Sequence, residues 1–473
     1  MFDLAITGGT VIDPADKRLI PANVYVIEGK IAEISRMTHE AKECIDASGM
    51  YVSPGFIDMH THTDNNMMVG EMLVRQGVTT VTGGHCGLGP TDLPAFFKEA
   101  EKGFIVNQSQ FAGAWELRER VGLTDPTQPM NEEQIVSAEK ALLADLETGA
   151  AGLSFGLEYM TGSSFEEIIR LSKIVAYYGK PVMIHTRGGF WSGLESLKEA
   201  INISRQTGAA VNISHLAYMY GHGMMSSALE IIDSARREGV DISCDCGMYT
   251  SFSTLIGTEA FNEDYVKTWG CDLDKIFVAS GKYAGQQITS SEMFQEVRKN
   301  SPDAAANAMI GCPNEILLAF DLPYMMCSSD AGVSTVANIN EAVHPQDAAT
   351  FAKFLREAVV MTRRLTLVDA VSRITTLPAE RMGFSGKGRI IPGADADIVV
   401  FDIERVQERA DFPHLGQADA PPEGFYAVII DGKIVVDNGE IRCSNAGKVL
   451  RSANVEWKLQ KKQHHLCDFI TLE

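Results

Sequence analysis

The sequence predicts an α/β protein with a (β/α)8 TIM-like barrel and a small β-sandwich domain built from both termini. Three observations lead to this fold. The middle of the chain alternates apolar strand candidates with longer amphipathic stretches, which is typical of a parallel sheet or barrel. Eight strand candidates follow one another there, and eight strands close such a barrel. Short β-rich segments separated by turns occupy both ends of the chain.

The β-rich ends predict one domain of discontinuous sequence. Strand candidates near the N-terminus are separated by glycine-containing turns such as Gly8-Gly9. The same pattern returns at 396–401 and 427–436. Residues 1–54 plus 386–473 are therefore expected to fold together as the β-sandwich domain.

The barrel is predicted over residues 55–385. Its eight strand candidates are 56–62, 78–83, 104–108, 151–155, 182–185, 210–215, 240–244 and 324–329. Residues 252–320 break the alternation, because this stretch is longer than an ordinary strand-to-helix connection and rich in polar and helical residues. We expect an inserted subdomain or lid there, after strand seven. Helices are predicted at 351–362 and 367–373.

Charge and cysteine usage exclude several function classes. The 473 residues carry 41 basic and 62 acidic side chains, and the net charge of −21 repels phosphate backbones and anionic lipid. We therefore expect no nucleic-acid and no membrane partner. Nine cysteines at irregular spacing indicate free thiols, and neither a leader nor a membrane span is evident, so we expect a cytoplasmic protein. Whether it forms a homo-oligomer stays open.

The end of the first predicted strand carries His60 and His62. The two-residue period of a strand places both imidazoles on the same side, and two neighbouring imidazoles make half of a metal site. Four more residues with metal-binding side chains lie at the ends of other predicted strands, where a parallel barrel forms its active site. They are Cys86, His185, His215 and Asp330.

Each of these residues alone has an ordinary structural interpretation. A single strand-end histidine is often a buried, hydrogen-bonded residue, Cys86 fits a small core residue, and Asp330 could cap the following helix. Together, four imidazoles, a thiol and a carboxylate at five strand ends favour a metal centre. Nitrogen, sulfur and oxygen ligands suit one or two zinc ions.

Motifs spread over nearly the whole chain resemble the amidohydrolase superfamily. They are the N-terminal run Ile6-Thr7-Gly8-Gly9-Thr10-Val11-Ile12-Asp13, the strand-one His-x-His, the strand-five and strand-six histidines, the strand-eight aspartate and the return segment Gly388-Arg389-Ile390-Ile391-Pro392-Gly393. Within the superfamily, the chain is most similar to the D-aminoacylase (N-acyl-D-amino-acid deacylase) branch. Cys86 and the segment 152–159 carry this likeness.

The resemblance implies a zinc-dependent amidohydrolase that cleaves a linear amide, most like an N-acyl-D-amino acid. In this branch a strand-two cysteine, here Cys86, is the bridging ligand, whereas dihydroorotases and hydantoinases use a carbamylated lysine. The end of strand four in this chain has no such lysine. The resemblance implies a tight metal position formed by Cys86, His185 and His215. It also implies a second, weaker position formed by His60, His62 and Asp330.

The expected mechanism follows from this ligand set. A divalent metal lowers the pKa of a bound water and polarises the amide carbonyl. Asp330 would accept the water proton as a base and then pass it to the leaving nitrogen as an acid.

Four residues are candidates for substrate binding. Arg187 and Tyr159 are the best placed to bind a substrate carboxylate, because arginine offers a bidentate fork and tyrosine a directed hydroxyl. Tyr249 and His344 are further candidates. Arg187 could instead pair with Asp245 across the barrel mouth.

Two positions depart from the deacylase pattern. The histidine and lysine that follow the strand-six histidine in the family are Leu216 and Ala217 here, and the family's His-Pro-Arg motif ends in Gln346. Two positive charges are therefore missing from the expected substrate site. The acyl group, side chain and stereochemistry of the substrate stay open.

Two other functions stay open as well. A cyclic amidohydrolase of the dihydroorotase or hydantoinase type would use the same fold, although the missing strand-four lysine counts against it. The other alternative is a metal-free relative that acts as a binding or assembly module. The six retained candidate ligands count against this second alternative.

Overall fold

The computed structural model describes residues 1–188 and 193–452 of the chain. The end of the predicted β-sandwich domain, residues 453–473, lies outside the described residues. Seven strands form the N-terminal region. They are β1 (Phe2–Thr7), β2 (Thr10–Asp13), β3 (Arg18–Pro21), β4 (Asn23–Ile27), β5 (Lys30–Ser35), β6 (Ala41–Asp46) and β7 (Tyr51–Pro54).

The central region alternates strands and helices. Its strands are β8 (Phe56–Asp58), β9 (Val78–Gly83), β10 (Asn107–Gln110), β11 (Ala112–Gly113), β12 (Leu153–Gly156), β13 (Pro181–His185), β14 (Ala210–Ile213) and β15 (Ile242–Cys246). Its helices are α1 (Met67–Arg75), α2 (Leu93–Ala100), α3 (Ala114–Arg120), α4 (Glu132–Thr148), α5 (Phe165–Tyr177), α6 (Gly193–Thr207), α7 (Leu216–Tyr220) and α8 (Met225–Arg237).

The segment 252–320 contains a small sheet as well as helices. Its elements are β16 (Phe252–Leu255), α9 (Tyr265–Trp269), β17 (Ile276–Val278), α10 (Ser291–Asn300), β18 (Ala305–Ala308) and α11 (Pro313–Ala319), with 3-10 turns at Glu259–Phe261, Leu273–Lys275 and Gly281–Tyr283. The strands pair antiparallel in the order β16-β18-β17. The composition predicted no sheet here, because β18 is short and consists mainly of alanine, a weak strand former.

The C-terminal region completes the fold. Its elements are β19 (Met325–Cys327), α12 (Val333–Val336), α13 (Gln346–Leu355), α14 (Leu367–Arg373), α15 (Thr376–Met382), β20 (Ile398–Phe401), β21 (Phe425–Ile430), β22 (Lys433–Asp437) and β23 (Glu440–Ile441). A π-helical segment, Arg356–Met361, continues α13. The helices predicted at 351–362 and 367–373 are therefore confirmed.

The two sheets of the central region are parallel throughout. Their strand orders are β10-β9-β8 and β11-β12-β13-β14-β15-β19. The amide of Ala151, just before β12, donates to the carbonyl of Gln110 at the end of β10, and Thr61 forms a parallel bridge with Ala331. The two sheets therefore contact each other along two edges. Each of the eight predicted strands overlaps a strand of these sheets, so the predicted α/β alternation is confirmed.

The two ends of the chain share one sheet and one hydrophobic core. The sheet has the order β23-β22-β21-β20-β7-β2-β3, and β7 runs antiparallel to β20 with Val52 opposite Val400. A second sheet, β5-β4-β1-β6, comes entirely from the N-terminal region. Leu4 and Val26 of this sheet pack in the same buried cluster as Ile398 and Val400.

An aromatic cluster attaches the first central strand to the C-terminal region. The Phe56 ring on β8 lies 6.1 Å from the rings of Phe351 and Phe401 and 6.2 Å from that of Phe425, measured between centroids. Aromatic pairs at this separation contribute stabilisation beyond the area they bury. β8 leads directly into His60 and His62, so this contact helps to place both histidines.

Local sequence accounts for the two long helices that precede candidate-site strands. α4 begins with a reciprocal capping box between Asn131 and Gln134, and it ends at Gly149, whose φ of 118° suits glycine. α5 begins with the same arrangement at Ser164 and Glu167. Among the described residues, no helix combines the length and apolar character needed to cross a bilayer.

Candidate metal centre

Six predicted ligand residues lie at the carboxyl ends of the parallel strands, and the structure brings them together. His60 and His62 follow β8, Cys86 follows β9, and Asp330 follows β19. His185 is the last residue of β13, and His215 comes two residues after β14. All six side chains are buried. The predicted convergence of distant strand ends is therefore found in the structure.

Three of these residues have left-handed backbone, which L residues rarely adopt. The φ angles are 54° at Cys86, 34° at His215 and 57° at Asp330. Hydrogen bonds hold two of these turns, because the His215 amide donates to Asp245 Oδ1 and the Asp330 amide donates to the His60 carbonyl. Backbone strain of this kind persists where the surrounding structure over-determines it, and it concentrates at functional sites. At each of these three residues, the left-handed backbone directs the side chain toward the other candidate ligands.

The thiol of Cys86 is the centre of the arrangement. Its Sγ lies 3.4 Å from His60 Nε2, 3.4 Å from His215 Nε2 and 3.4 Å from His185 Nδ1. His185 Nδ1 and His215 Nε2 are 2.9 Å apart. Ligands of a tetrahedral zinc ion stand about 3.3 Å apart for two nitrogens and about 3.6 Å apart for nitrogen and sulfur, given the usual bond lengths. The trio of Cys86, His185 and His215 therefore fits such an ion.

A second group of donors shares the same sulfur. Asp330 Oδ1 lies 3.2 Å from His60 Nε2 and 3.5 Å from His62 Nε2. The ligand atoms of His60, His62, Cys86 and Asp330 lie within 4.8 Å of one another, and so do those of Cys86, His185 and His215. The donor chemistry of both groups, nitrogen with sulfur and oxygen, suits a zinc-like divalent ion.

Two carboxylates that the sequence did not assign lie behind the imidazoles. Glu158 Oε2 lies 2.9 Å from His185 Nε2, which leaves His185 Nδ1 facing Cys86. A carboxylate in this position fixes the tautomer and ring orientation of a metal-binding histidine. Asp245 Oδ1 lies 3.5 Å from His60 Nδ1, which has no hydrogen-bond partner among the described residues, so Asp245 acts on His60 through its charge. Their positions could have indicated this role, because Glu158 follows β12 and Asp245 lies near the end of β15, and both are therefore at the carboxyl ends of parallel strands.

The electrostatics of the cluster favour a bound cation. Burial disfavours the Cys86 thiolate, but the charges of His60, His185 and His215 hold the pKa of Cys86 well below its ordinary value. Burial also opposes ionisation of Asp330, yet hydrogen bonds from His60 and His62 lower the pKa of this carboxyl. Two buried anions therefore face the same point, and a buried charge requires a counter-charge.

The same anions act on the neighbouring imidazoles. Although burial opposes protonation, hydrogen bonding to Asp330 and the Cys86 thiolate raises the pKa of His62 to about 10. Against the same burial penalty, Cys86 and Glu158 raise the pKa of His185 to about 9. Protons and metal ions compete for such ligands, so metal binding here would release protons.

The cavity beside the ligands contains only one of the four predicted substrate-binding residues. Tyr159 lines it, together with Tyr218, which the sequence analysis did not select. Tyr249 lies elsewhere, where its hydroxyl donates to the Pro345 carbonyl. His344 is fully buried and lies 2.6 Å from the Ser251 hydroxyl through Nε2.

Arg187 does not pair with Asp245, the alternative partner considered from the sequence. Its Nε donates to Glu199 Oε2 over 2.9 Å, and its terminal nitrogens donate to the carbonyls of Thr161 and Ser163. Arg187 lines a separate surface pocket that shares Glu158 with the metal-site cavity. The expected alternative partner, Asp245, instead accepts hydrogen bonds from Asn212, Ser328 and the His215 amide.

Comparison with known proteins agrees with the geometry of this site. Residues 51–435 match the model of the amidohydrolase family, so the chain belongs to that family. It is 30% identical to the N-acyl-D-glutamate deacylase of Alcaligenes xylosoxydans xylosoxydans over 91% of this chain and 93% of the relative. It is 28% identical to the D-aminoacylase of the same organism over 95% of this chain and 97% of the relative.

A solved structure gives the same result. The crystal structure of N-acyl-D-glutamate deacylase from Bordetella bronchiseptica, complexed with zinc and a phosphonate inhibitor that mimics the tetrahedral intermediate, superposes with a TM-score of 0.85. The sequences are 28% identical, and the match covers 95% of this chain and 99% of that chain. The resemblance to the D-aminoacylase branch is thereby confirmed.

Proposed function

We propose that this protein is a zinc-dependent hydrolase of a linear, small-molecule amide, and that deacylation of an N-acyl-D-amino acid is the most similar known reaction. The observation that carries this proposal is the convergence of one thiol, four imidazoles and one carboxylate from five strand ends. The named activities of the two similar deacylases support it.

The proposed roles follow from the contacts. Cys86, His185 and His215 would hold the tighter metal ion, and His60, His62 and Asp330 would hold a weaker one that shares the sulfur of Cys86. The bound ion would supply a Lewis acid for the amide carbonyl and an acidified water. Asp330 acts as general base and then general acid, because its carboxylate borders the cavity and stays ionised.

Glu158 and Tyr159 complete the proposed machinery around the ligands. Glu158 keeps the Nδ1 atom of His185 directed at Cys86 by accepting a hydrogen bond from Nε2. The Tyr159 ring lies 4.9 Å from the His185 ring at the cavity wall and borders the substrate. Substrate contacts by Arg187, Tyr249 and His344 stay sequence predictions.

We also propose the architecture that positions this site. A closed eight-stranded barrel over 55–385 is supported by the contacts that join the two parallel sheets along two edges. A β-sandwich domain from 1–54 plus 386–473 is supported by the pairing of β7 with β20 and the shared core. The segment 252–320 would be an insertion that covers the cavity, because Phe252, Ser253 and Trp269 line it.

The test is a hydrolysis screen of zinc-loaded protein. N-acetyl and N-formyl derivatives of D- and L-amino acids, dipeptides and cyclic ureides are offered, and metal content is measured on the same samples. We expect hydrolysis of a linear amide that Asp330→Asn abolishes. Turnover of ring amides alone would establish the cyclic amidohydrolase instead. A folded protein that binds no zinc and cleaves nothing would support the non-catalytic alternative.

A further inference from the structure

The cavity beside the metal ligands has no positively charged wall. Among the described residues that line it, none is a lysine or an arginine. Its charged side chains outside the imidazoles are the acids Glu158 and Asp330 and the thiol of Cys86. One divalent ion in the tighter position would be neutralised by the Cys86 thiolate and the Asp330 carboxylate, and the described walls of the cavity add no lysine or arginine to pair with a further anion.

The side chains that could supply a cation are already committed. Arg187 is paired with Glu199 and two backbone carbonyls outside the cavity. Gln346 stands where the family motif ends in arginine, and it is fully buried. Its amide nitrogen donates to the Asp330 carbonyl, and its amide oxygen accepts from Tyr218. Gln346 therefore braces the Asp330 backbone without adding charge.

The neutral donors of the cavity are also largely occupied. The Tyr218 hydroxyl donates to Gln346 over 2.9 Å, and the Tyr159 hydroxyl donates to Thr254 Oγ1 over 3.3 Å. Ser253 is 7% exposed and its hydroxyl has no hydrogen-bond partner in the described structure. Thr254 only accepts a hydrogen bond, from Tyr159, so the Ser253 and Thr254 hydroxyls can both donate to a neutral carbonyl of the substrate. Neutral hydroxyls cannot balance a carboxylate, whose transfer from water without a counter-ion is strongly unfavourable.

The remaining walls of the cavity are apolar. Phe252 and Trp269 stand with their ring centroids 5.2 Å apart, and Met219, Val333 and Leu88 complete this lining. The enclosed space is only about 30 Å³, so these side chains would contact the scissile amide and the atoms beside it. Charge and hydrogen bonding therefore select the same class of ligand, a neutral one.

We propose that the substrate is an uncharged N-acyl amine: a linear amide with no carboxylate beside the scissile bond. This rests on the proposed amide hydrolysis and narrows its substrate class. The described walls of the cavity offer no lysine or arginine to pair with the carboxylate that N-acyl-D-amino acids carry, while the Ser253 and Thr254 hydroxyls can bond a neutral polar group.

The test compares substrates that differ only in charge. N-acetyl-D-phenylalanine is paired with N-acetyl-D-phenylalaninamide, and the L enantiomers form a second pair. Acetate release by the zinc-loaded protein gives kcat/KM, and titration calorimetry of the same protein with the N-methanesulfonyl analogues of each pair, whose sulfonamide bond resists hydrolysis, gives affinity without turnover. We expect the carboxamide to exceed the carboxylate by at least about 100-fold in kcat/KM and to bind more tightly, as an unpaired buried charge implies. Equal values, absence of binding by both compounds, or preference for the carboxylate would overturn the inference.

Restoring a cation provides the complementary measurement. Met219 lines the cavity, and lysine is a side chain of similar length. We expect Met219→Lys to shift the ratio of affinities toward the carboxylate by at least about tenfold, whereas the neutral Met219→Gln leaves the ratio within about twofold. An unchanged ratio in folded, zinc-binding Met219→Lys contradicts the inference. Failure of every linear amide in the hydrolysis screen would instead refute the proposed function, since the binding comparison does not depend on turnover.

Discussion

Cys86 is the one donor shared by both ligand groups, and its replacement by alanine removes the sulfur without altering the backbone preference at this left-handed position. Zinc sites with four protein ligands bind with about 10–16 kcal/mol, or roughly 3 kcal/mol for each ligand. Since Sγ lies 3.4 Å from each of three imidazole nitrogens, we assign to it one ligand's part of the zinc-binding free energy, roughly 3 kcal/mol. Cys86→Ala should therefore weaken zinc binding about 100-fold.

The assay is a competition titration of the apoprotein with a zinc chelator, followed by thermal denaturation with and without zinc. A 100-fold weaker affinity reduces the zinc-dependent stabilisation at saturating metal by about 2.7 kcal/mol. Cys246→Ala is the matched control, because it removes a buried thiol of β15 that belongs to neither ligand group. Folded Cys86→Ala with zinc affinity within about threefold of the parent protein would refute the assignment of the sulfur as a ligand.

Three further predictions concern residues around the ligands. Glu158→Gln should weaken zinc binding about 10–100-fold, because the amide cannot hold the His185 tautomer as a carboxylate does; an unchanged chelator titration would reject this role. Gly156→Ala places a methyl group against the carbonyl of Cys86, so we expect lower thermal stability and weaker zinc binding. Stability and zinc affinity equal to those of the parent protein would count against a tightly packed strand end. Burial lowers the pKa of His344 to about 3, well below the value of about 6.5 in an unfolded chain. The neutral form of His344 therefore makes its full contribution to the unfolding free energy above pH 6.5. This contribution is lost as the pH falls toward 3. Between pH 7 and pH 5 the parent protein should lose about 2 kcal/mol more unfolding free energy in urea than His344→Gln, and equal losses would contradict this.

The sequence predicted the ligand set because the signals for it are periodic and local. The pattern predicts a strand that runs into His-x-His, and although β8 ends at Asp58, His60 and His62 follow it at the carboxyl ends of the parallel strands, which meet at one face. Cys86 and Asp330 could be selected as candidate ligands because each follows a predicted strand.

Residues that act through long side chains or inserted segments could not be assigned in this way. Arg187 leaves its strand beside the site, but its guanidinium turns to Glu199, and sequence spacing does not determine that direction. Glu158 lies in the segment 152–159 that resembles the D-aminoacylase branch, yet its contact with His185 depends on β12 and β13 packing side by side. Ser253 lies on a short strand of the inserted segment, whose antiparallel pairing has no periodic signal in the composition.

X-ray absorption spectroscopy at the zinc edge tests the central claim most directly, because it reports the atoms bound to the metal in the intact protein. With one equivalent of zinc, the account predicts one sulfur at about 2.3 Å and imidazole nitrogens at about 2.0–2.1 Å, with the sulfur lost in Cys86→Ala. A spectrum of the parent protein without a sulfur neighbour, or one that Cys86→Ala leaves unchanged, would contradict a metal centre built on Cys86, His185 and His215.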